Sequence, residues 1–377
     1  MAVTTKKRSK IKPKVSIINQ LEIKNFKSIK HIKIDTSRIN IFLGKPNSGK
    51  SNLLEALTLF NFIQNKTSRQ NEATLIRYNT LDNLFYDRDL SNDIEVNFNQ
   101  NLALLSYYAA TNFFLQIVNP SSDFLKNKPS YYKDGLSLNQ IQEKSPLTSK
   151  QARPDKYSSL FAAMDQEGQS TTQATGALTW ENPIRKYEFR DGISYNNPFA
   201  TYLESSGENL FTIVQDNPKI REWINSFFEE FHLEFLIDFS SRKFEIQKKE
   251  KGIVYKIPFE LTPDTLRRML FYVAAIYSNK NATILLEEPE SHSFPPYIKE
   301  LSELIKADTN NTYFITTHSP YFFNSMVEDS KTIKGMSFFH VYYEDYQTKI
   351  RKLTQKDLDI LWGSGVDAFF NIESLNK

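Results

Sequence analysis

The 377-residue chain carries 47 Lys and Arg against 44 Asp and Glu, so its net charge of +3 gives no global reason to expect a nucleic-acid or acidic partner. It has no cysteine, which excludes disulfide frameworks, thiolate zinc sites and cysteine nucleophiles and points to a reducing, cytoplasmic setting. No apolar run approaches the roughly 20 residues of a spanning helix, and the start lacks the apolar stretch of a secretory signal, so no membrane association is expected.

Residues 1–16 read as a solvated basic tail with Lys6, Lys7, Arg8, Lys10, Lys12 and Lys14. Leu21 and Ile23, then Ile32 and Ile34, alternate with Glu22, Lys24, His31 and Lys33, which predicts two strands around a break at Lys27-Ser28. Ile39–Leu43 is a short apolar strand. Ser51–Gln64 has Leu53, Leu54, Leu57, Phe60 and Phe62 at helical spacing. A strand at Ile94–Phe98 closes an N-terminal lobe over 17–100.

Leu102–Val118 is apolar and aromatic-rich and reads as a helix or helix pair. It opens a helical insertion over 101–184, which includes a low-complexity loop at about 145–176 rich in Ser, Thr, Gln, Lys and Pro. A second lobe over 185–330 begins with a strand at Lys186–Arg190 and an amphipathic helix at Pro218–Phe231. Strands follow at Leu233–Asp238, Lys243–Gln247 and Ile253–Pro258, then a helix at Thr265–Tyr277, a strand at Ala282–Leu286, a helix at Pro296–Ile305 and a strand at Tyr313–Thr317. Residues 331–377 form a C-terminal extension. The alternation predicts an α/β fold: a mixed, largely parallel sheet with helices on both faces, an antiparallel β subdomain and the helical insertion.

Glycine is scarce, 11 residues against 29 Phe, yet two of the glycines stand in Gly44-Lys45-Pro46-Asn47-Ser48-Gly49-Lys50-Ser51. This G-x-x-x-x-G-K-S loop lies between a predicted strand and a predicted helix. Its composition suits phosphate binding: backbone N–H groups of residues 44–52, through Asn52, wrap the phosphates at a helix N-terminus. Lys50 reaches the outer oxygens, and the Ser51 hydroxyl holds Mg²⁺. The apolar strand Ala282–Leu286 ends in Glu287-Glu288-Pro289-Glu290. Beside a phosphate loop, Glu287 supports the Mg²⁺ hydration shell and Glu288 polarises the attacking water as general base. One helix further on, Tyr313–Thr317 ends in His318-Ser319-Pro320, which places His318 on the same sheet edge, within reach of a γ-phosphate.

Together with Leu21-Glu22-Ile23-Lys24-Asn25-Phe26-Lys27-Ser28-Ile29, these motifs resemble an ABC-type ATPase of the RecF/SMC/OLD superfamily, and within it the OLD-like, AAA15-type ATPases. The resemblance implies a P-loop NTPase fold of ABC-ATPase type that hydrolyses ATP with Mg²⁺. It also implies head domains that pair as a dimer or larger homo-oligomer around ATP. The segment matching the family's signature is Leu261–Arg268, where Thr262 stands at the serine place, Asp264 follows, and the usual glycine is absent. Glu287 stands where the family commonly has Asp.

No sustained heptads run through 100–250, so a long coiled-coil rod is excluded. The stretch after His318 is too short for a TOPRIM nuclease domain, and Asp357-Leu358-Asp359 reads as an ordinary helical turn. The resemblance is to ATPase subunits of anti-phage systems such as PARIS and Septu. It implies a sensor and scaffold that controls a separate nuclease effector, with DNA or a phage protein as trigger. The alternative is a RecF-like repair ATPase gripping DNA through the N-terminal lysines together with Lys24, Lys27, Lys30 and Lys33.

Overall fold

The computed structural model describes residues 20–62, 75–98, 101–108, 112–118, 159–175, 183–328, 335–363 and 372. The basic tail, residues 145–158 and 176 of the predicted loop, and parts of the C-terminal extension lie outside the described residues.

The central sheet has six strands: β3 (Ile39–Leu43), β9 (Ile184–Tyr187), β13 (Thr283–Glu287), β14 (Thr312–Thr317), β15 (Met336–Glu344) and β16 (Gln347–Lys352). Their spatial order is β16-β15-β3-β14-β13-β9. All neighbours run parallel except the β15–β16 hairpin. The predicted mixed, largely parallel sheet is therefore present, with β3 flanked by strands from the far end of the chain.

Buried on both faces, these strands send alternate residues into two cores, which explains their unbroken apolar runs. Ile39, Ile41, Leu43, Ile284, Leu286, Tyr313 and Ile315 face one core. There they meet α2 (Leu210–Asp216), α3 (Pro218–Glu229), the long α4 (Asp264–Ser278), α5 (Pro295–Ala307) and α6 (Pro320–Val327). Phe42, Leu285, Phe314, Phe339 and Val341 face the other. Phe42 lies between Phe314 and Phe339, with ring centroids 6.0 and 5.2 Å away, so three adjacent strands are joined by stacked rings. Such pairs contribute about 1 kcal/mol each beyond burial.

Against that second core packs α1, which runs from Lys50 to Thr58 and passes into a 3₁₀ turn at Leu59–Asn61; the end of the predicted helix, residues 63 and 64, lies outside the described residues. With it packs a seven-stranded antiparallel sheet of β1 (Gln20–Phe26), β2 (Ile29–Asp35), β4 (Ile94–Phe98), β5 (Asn101–Tyr108), β6 (Asn112–Val118), β7 (Ser159–Met164) and β8 (Ser170–Thr175). Its order is β2-β1-β4-β5-β6-β7-β8. This corrects the helix expected at 102–118: the segment is a pair of strands in antiparallel register, Leu105 opposite Leu115. It also corrects the helical insertion. The described residues of 101–175 are four strands that extend the N-terminal sheet, and two of them cross the stretch taken for an irregular loop. Leu102, Ala103, Leu105 and Ser106, and Phe113 through Ile117, are buried, so the alternation that betrays a half-exposed strand is erased.

A small three-stranded sheet of β10 (Glu234–Asp238), β11 (Lys243–Glu250) and β12 (Ile253–Pro258) precedes α4. The chain ends its described part in α7 (Gln355–Gly363). In α7, Asp357 accepts from Thr354 at the helix start and pairs with Arg351 at 2.9 Å, so Asp357-Leu358-Asp359 lies in a helical turn as the sequence suggested. Among the described residues no helix is long and apolar enough to cross a membrane.

Candidate functional site

The carboxyl edge of the central sheet gathers the three sequence motifs. Leu43 ends β3, the 44–49 loop turns, and α1 begins at Lys50. Neither glycine is replaceable. A side chain at Gly44 would overlap the Val341 carbonyl and the Ser48 hydroxyl, while Gly49 has φ +91° and a side chain there would overlap the Thr348 hydroxyl. The Lys50 side chain is buried, and its Nζ donates to the carbonyls of Gly44 and Lys45, each at 2.8 Å. Burial pulls its pKa down, against the attraction of Glu288, Glu290 and Glu287.

The loop is braced by parts of the chain that carry no motif. Thr348 on β16 donates its hydroxyl to the Ser48 carbonyl at 3.1 Å and lies 2.6 Å from the Ser28 hydroxyl in the β1–β2 turn. Asn52 donates to that same Ser28 oxygen at 2.7 Å. On α1 itself, the fully buried carboxylate of Glu55 is ion-paired with Lys27 and accepts from Arg77 Nε at 2.7 Å. Burial lowers the Lys27 pKa in spite of that pairing.

Glu287 closes β13 with its carboxylate 3.0 Å from Lys186 and 3.4 Å from Arg77. Burial pushes its pKa up, but Lys186, a hydrogen bond from Ser51 and Arg77 outweigh that and hold the carboxyl below its usual value. Glu288 takes a left-handed backbone with φ +45°, its N–H donating to the Thr316 carbonyl at 2.9 Å. That turn lifts its side chain off the strand, and its Oε1 lies 2.8 Å from Nδ1 of His318. Such a backbone costs a glutamate of order 1 kcal/mol and marks a position fixed by its surroundings.

Beneath this pair, Glu290 is buried and accepts from the Thr317 hydroxyl, which itself accepts from the Ser319 N–H at 3.0 Å. Its second oxygen has no partner, and burial pushes its pKa up to about 7. The chain from Glu290 through Thr317 to Ser319 ties together the two turns that present Glu288 and His318.

These groups border one cleft of about 810 Å³, lined by Ser28, Pro46–Asn52, Arg77, Glu287, Glu288 and Tyr343. The structure thus brings together loop residues 46–52, Glu287 and Glu288, with His318 bonded to Glu288, while Gly44 and Lys45 do not line the cleft and reach it through their carbonyls on Lys50. Thr262 and Asp264 do not line the cleft. Thr262 donates to the Phe259 carbonyl at 2.7 Å, Asp264 pairs with Arg268 at 2.6 Å, and the neighbouring Thr265 donates to the His292 carbonyl at 2.8 Å. Sequence reasoning missed Arg77, Tyr343 and the brace at Thr348. Only Ser28 had a signal, the break in alternation at Lys27-Ser28.

A buried lysine at a helix N-terminus suits a polyphosphate. A serine hydroxyl beside a carboxylate is a set of hard oxygen donors that fits Mg²⁺. A carboxylate–imidazole pair at the same mouth suits proton transfer from water. With the loop at the end of β3 and the acidic strand next but one, these features define a P-loop nucleoside triphosphatase of ABC-ATPase type. Residues 17–262 match the AAA ATPase domain family; the chain belongs to that family and is an ATPase.

Over 95% of its length the chain is 24% identical to a protein of Helicobacter pylori named ATP/GTP phosphatase, 99% of which is covered. It is 29% identical over 110 residues to an uncharacterized protein of Methanocaldococcus jannaschii, a match to 28% of this chain and 13% of that protein. Among solved structures it is similar to an SMC head bound to the C-terminal winged-helix domain of ScpA, with a TM-score of 0.46 and 14% identity, covering 91% of this chain and 99% of that one. The SMC head domain from Thermotoga maritima matches with a TM-score of 0.37 and 13% identity, over 89% and 98% of the respective chains.

Proposed function

We propose that the 44–52 loop holds the triphosphate of ATP, that Lys50 neutralises its outer oxygens, and that Glu288 is the general base for the attacking water. The observation that carries this reading is the Glu288–His318 contact of 2.8 Å at the mouth of a loop whose lysine is buried. His318 spends Nδ1 on Glu288, so Nε2 is the atom left for the γ-phosphate. Ser51 and Glu287 are the residues that would hold Mg²⁺, which supplies charge neutralisation at the β- and γ-oxygens. The name of the Helicobacter relative supports GTP as a second substrate.

Thr262 and Asp264, at the start of α4 and outside their own cleft, are available to complete the site of a second copy, which supports paired heads. On the resemblance of its motifs, the chain is an OLD-like ATPase that serves as sensor and scaffold for a separate nuclease in anti-phage defence. The repair reading has less support among the described lysines: Lys27 is half-buried against Glu55 and Lys24 lies 3.1 Å from Glu95, while of the exposed pair Lys30 and Lys33 the latter lies 3.7 Å from Glu22.

The test is Glu288→Gln, which keeps the shape and removes the base. ATP binding is retained, hydrolysis falls at least 100-fold, and size-exclusion chromatography with ATP shows the paired form accumulating. Hydrolysis at the wild-type rate removes Glu288 from this role. Co-purification of the native chain with a nuclease tests the scaffold reading, and isolation of the chain alone in infected and uninfected cells counts against it.

A further inference from the structure

We propose that Tyr343, near the end of β15, is the platform on which the nucleobase stacks, and that this site accepts either purine. The inference rests on the phosphate-binding reading above and adds the part of the substrate that reading leaves open. The direction of the nucleotide follows from strand order. β3, which carries the phosphate loop, has β14 and β13 on one side and β15 and β16 on the other. Glu287, Glu288 and His318 occupy the β13–β14 flank, so the γ-phosphate lies there. The nucleoside must then leave across the loop toward β15 and β16.

On that flank Tyr343 borders the cleft and is 53% exposed. It stands directly opposite Thr348 in the hairpin, and residues so paired project from the same face of a sheet. Thr348 is the residue whose hydroxyl touches the Ser48 carbonyl, so the tyrosine ring stands beside the phosphate loop.

The lack of base preference follows from how the neighbouring polar groups are used. Ser28, Asn52 and Thr348 are bonded to one another or to the loop. The acids at the hairpin tip, Glu344 and Asp345, are held by Lys349 at 2.6 and 2.7 Å. What the flank offers a base is a ring face, and stacking on an aromatic face is indifferent to which purine is present.

The experiment compares the affinities of the full-length wild-type chain, Tyr343→Ala and Tyr343→Phe for ATP, GTP and inorganic tripolyphosphate by calorimetry. Tyr343→Ala weakens ATP and GTP by about tenfold each, leaves tripolyphosphate unchanged, and Tyr343→Phe restores both nucleotides. Unchanged ATP affinity in Tyr343→Ala overturns the proposal. So does an equal loss for tripolyphosphate, which makes the tyrosine a support of the loop, or a loss confined to one nucleotide, which makes the site selective. If wild-type chain binds tripolyphosphate but Lys50→Ala does not, the phosphate reading stands whatever Tyr343 does. If wild type binds neither nucleotide nor tripolyphosphate, that reading falls first and this one with it.

Discussion

Glu290→Gln isolates the buried acid under the Glu288–His318 pair. Folding raises the Glu290 pKa from an ordinary 4.5 to about 7, chiefly by burial. Between those values the folded chain keeps a proton that the unfolded chain has released, so folding stability falls as pH rises. The contribution is whole below pH 4.5 and is lost as pH passes 7. The span corresponds to about 3 kcal/mol. A glutamine fills the same space, keeps an oxygen for the Thr317 hydroxyl and cannot ionise. Urea unfolding of both proteins from pH 4.5 to 8 measures the difference, in which the titrations of all other groups cancel. Near pH 4.5 the two proteins should be close. By pH 8 the variant should be more stable by about 3 kcal/mol. A difference that stays flat across this range, or a variant that is the weaker protein at pH 8, refutes a protonated Glu290 in the folded chain.

Lys50→Ala removes the buried ammonium at the loop and should abolish ATP binding in a filter or calorimetric assay; ATP affinity within twofold of wild type would contradict the site. Gly49→Ala places a methyl against the Thr348 hydroxyl in a left-handed backbone. It should cost at least about 2 kcal/mol in urea unfolding and weaken nucleotide binding with it. Glu55→Ala leaves the half-buried Lys27 ammonium without its counter-charge and with the Arg77 carbonyl as acceptor, which should cost about 2 kcal/mol; the exposed Arg77 side chain adds little to that figure, and loss of less than 1 kcal/mol would show that Lys27 escapes to solvent.

How much of this was legible in the sequence depends on where each residue's partners lie. Ile39–Leu43, Thr283–Glu287 and Thr312–Thr317 were readable because each is a short apolar run ending in a polar motif, and all three end on one edge. The strands at 101–118 were not. Burial of successive residues erases period two, the run exceeds a typical strand, and Ala109-Ala110-Thr111 offers no Gly, Pro or Asn to announce a turn. The core of the site followed from local motifs, since a phosphate loop is made by consecutive residues. Arg77, Tyr343 and Thr348 enter it only through tertiary pairing, Arg77 through Glu55 and Thr348 through Ser28 and Ser48, and nothing in their own neighbourhoods signals this.

The brace on the phosphate loop bears on when the protein becomes active during its synthesis. Ser48 and Thr348 are 300 residues apart, and both strands beside β3 come from the far end of the chain. At ribosomal speeds of ~5–20 residues per second, roughly 15–60 s separate translation of the loop from translation of the strands that shape it. The nascent chain thus carries its most recognisable motif for most of its synthesis without a finished site. It becomes competent to hold nucleotide only when β14, β15 and β16 have emerged and closed around β3, so the ATPase is among the last features of the molecule to form.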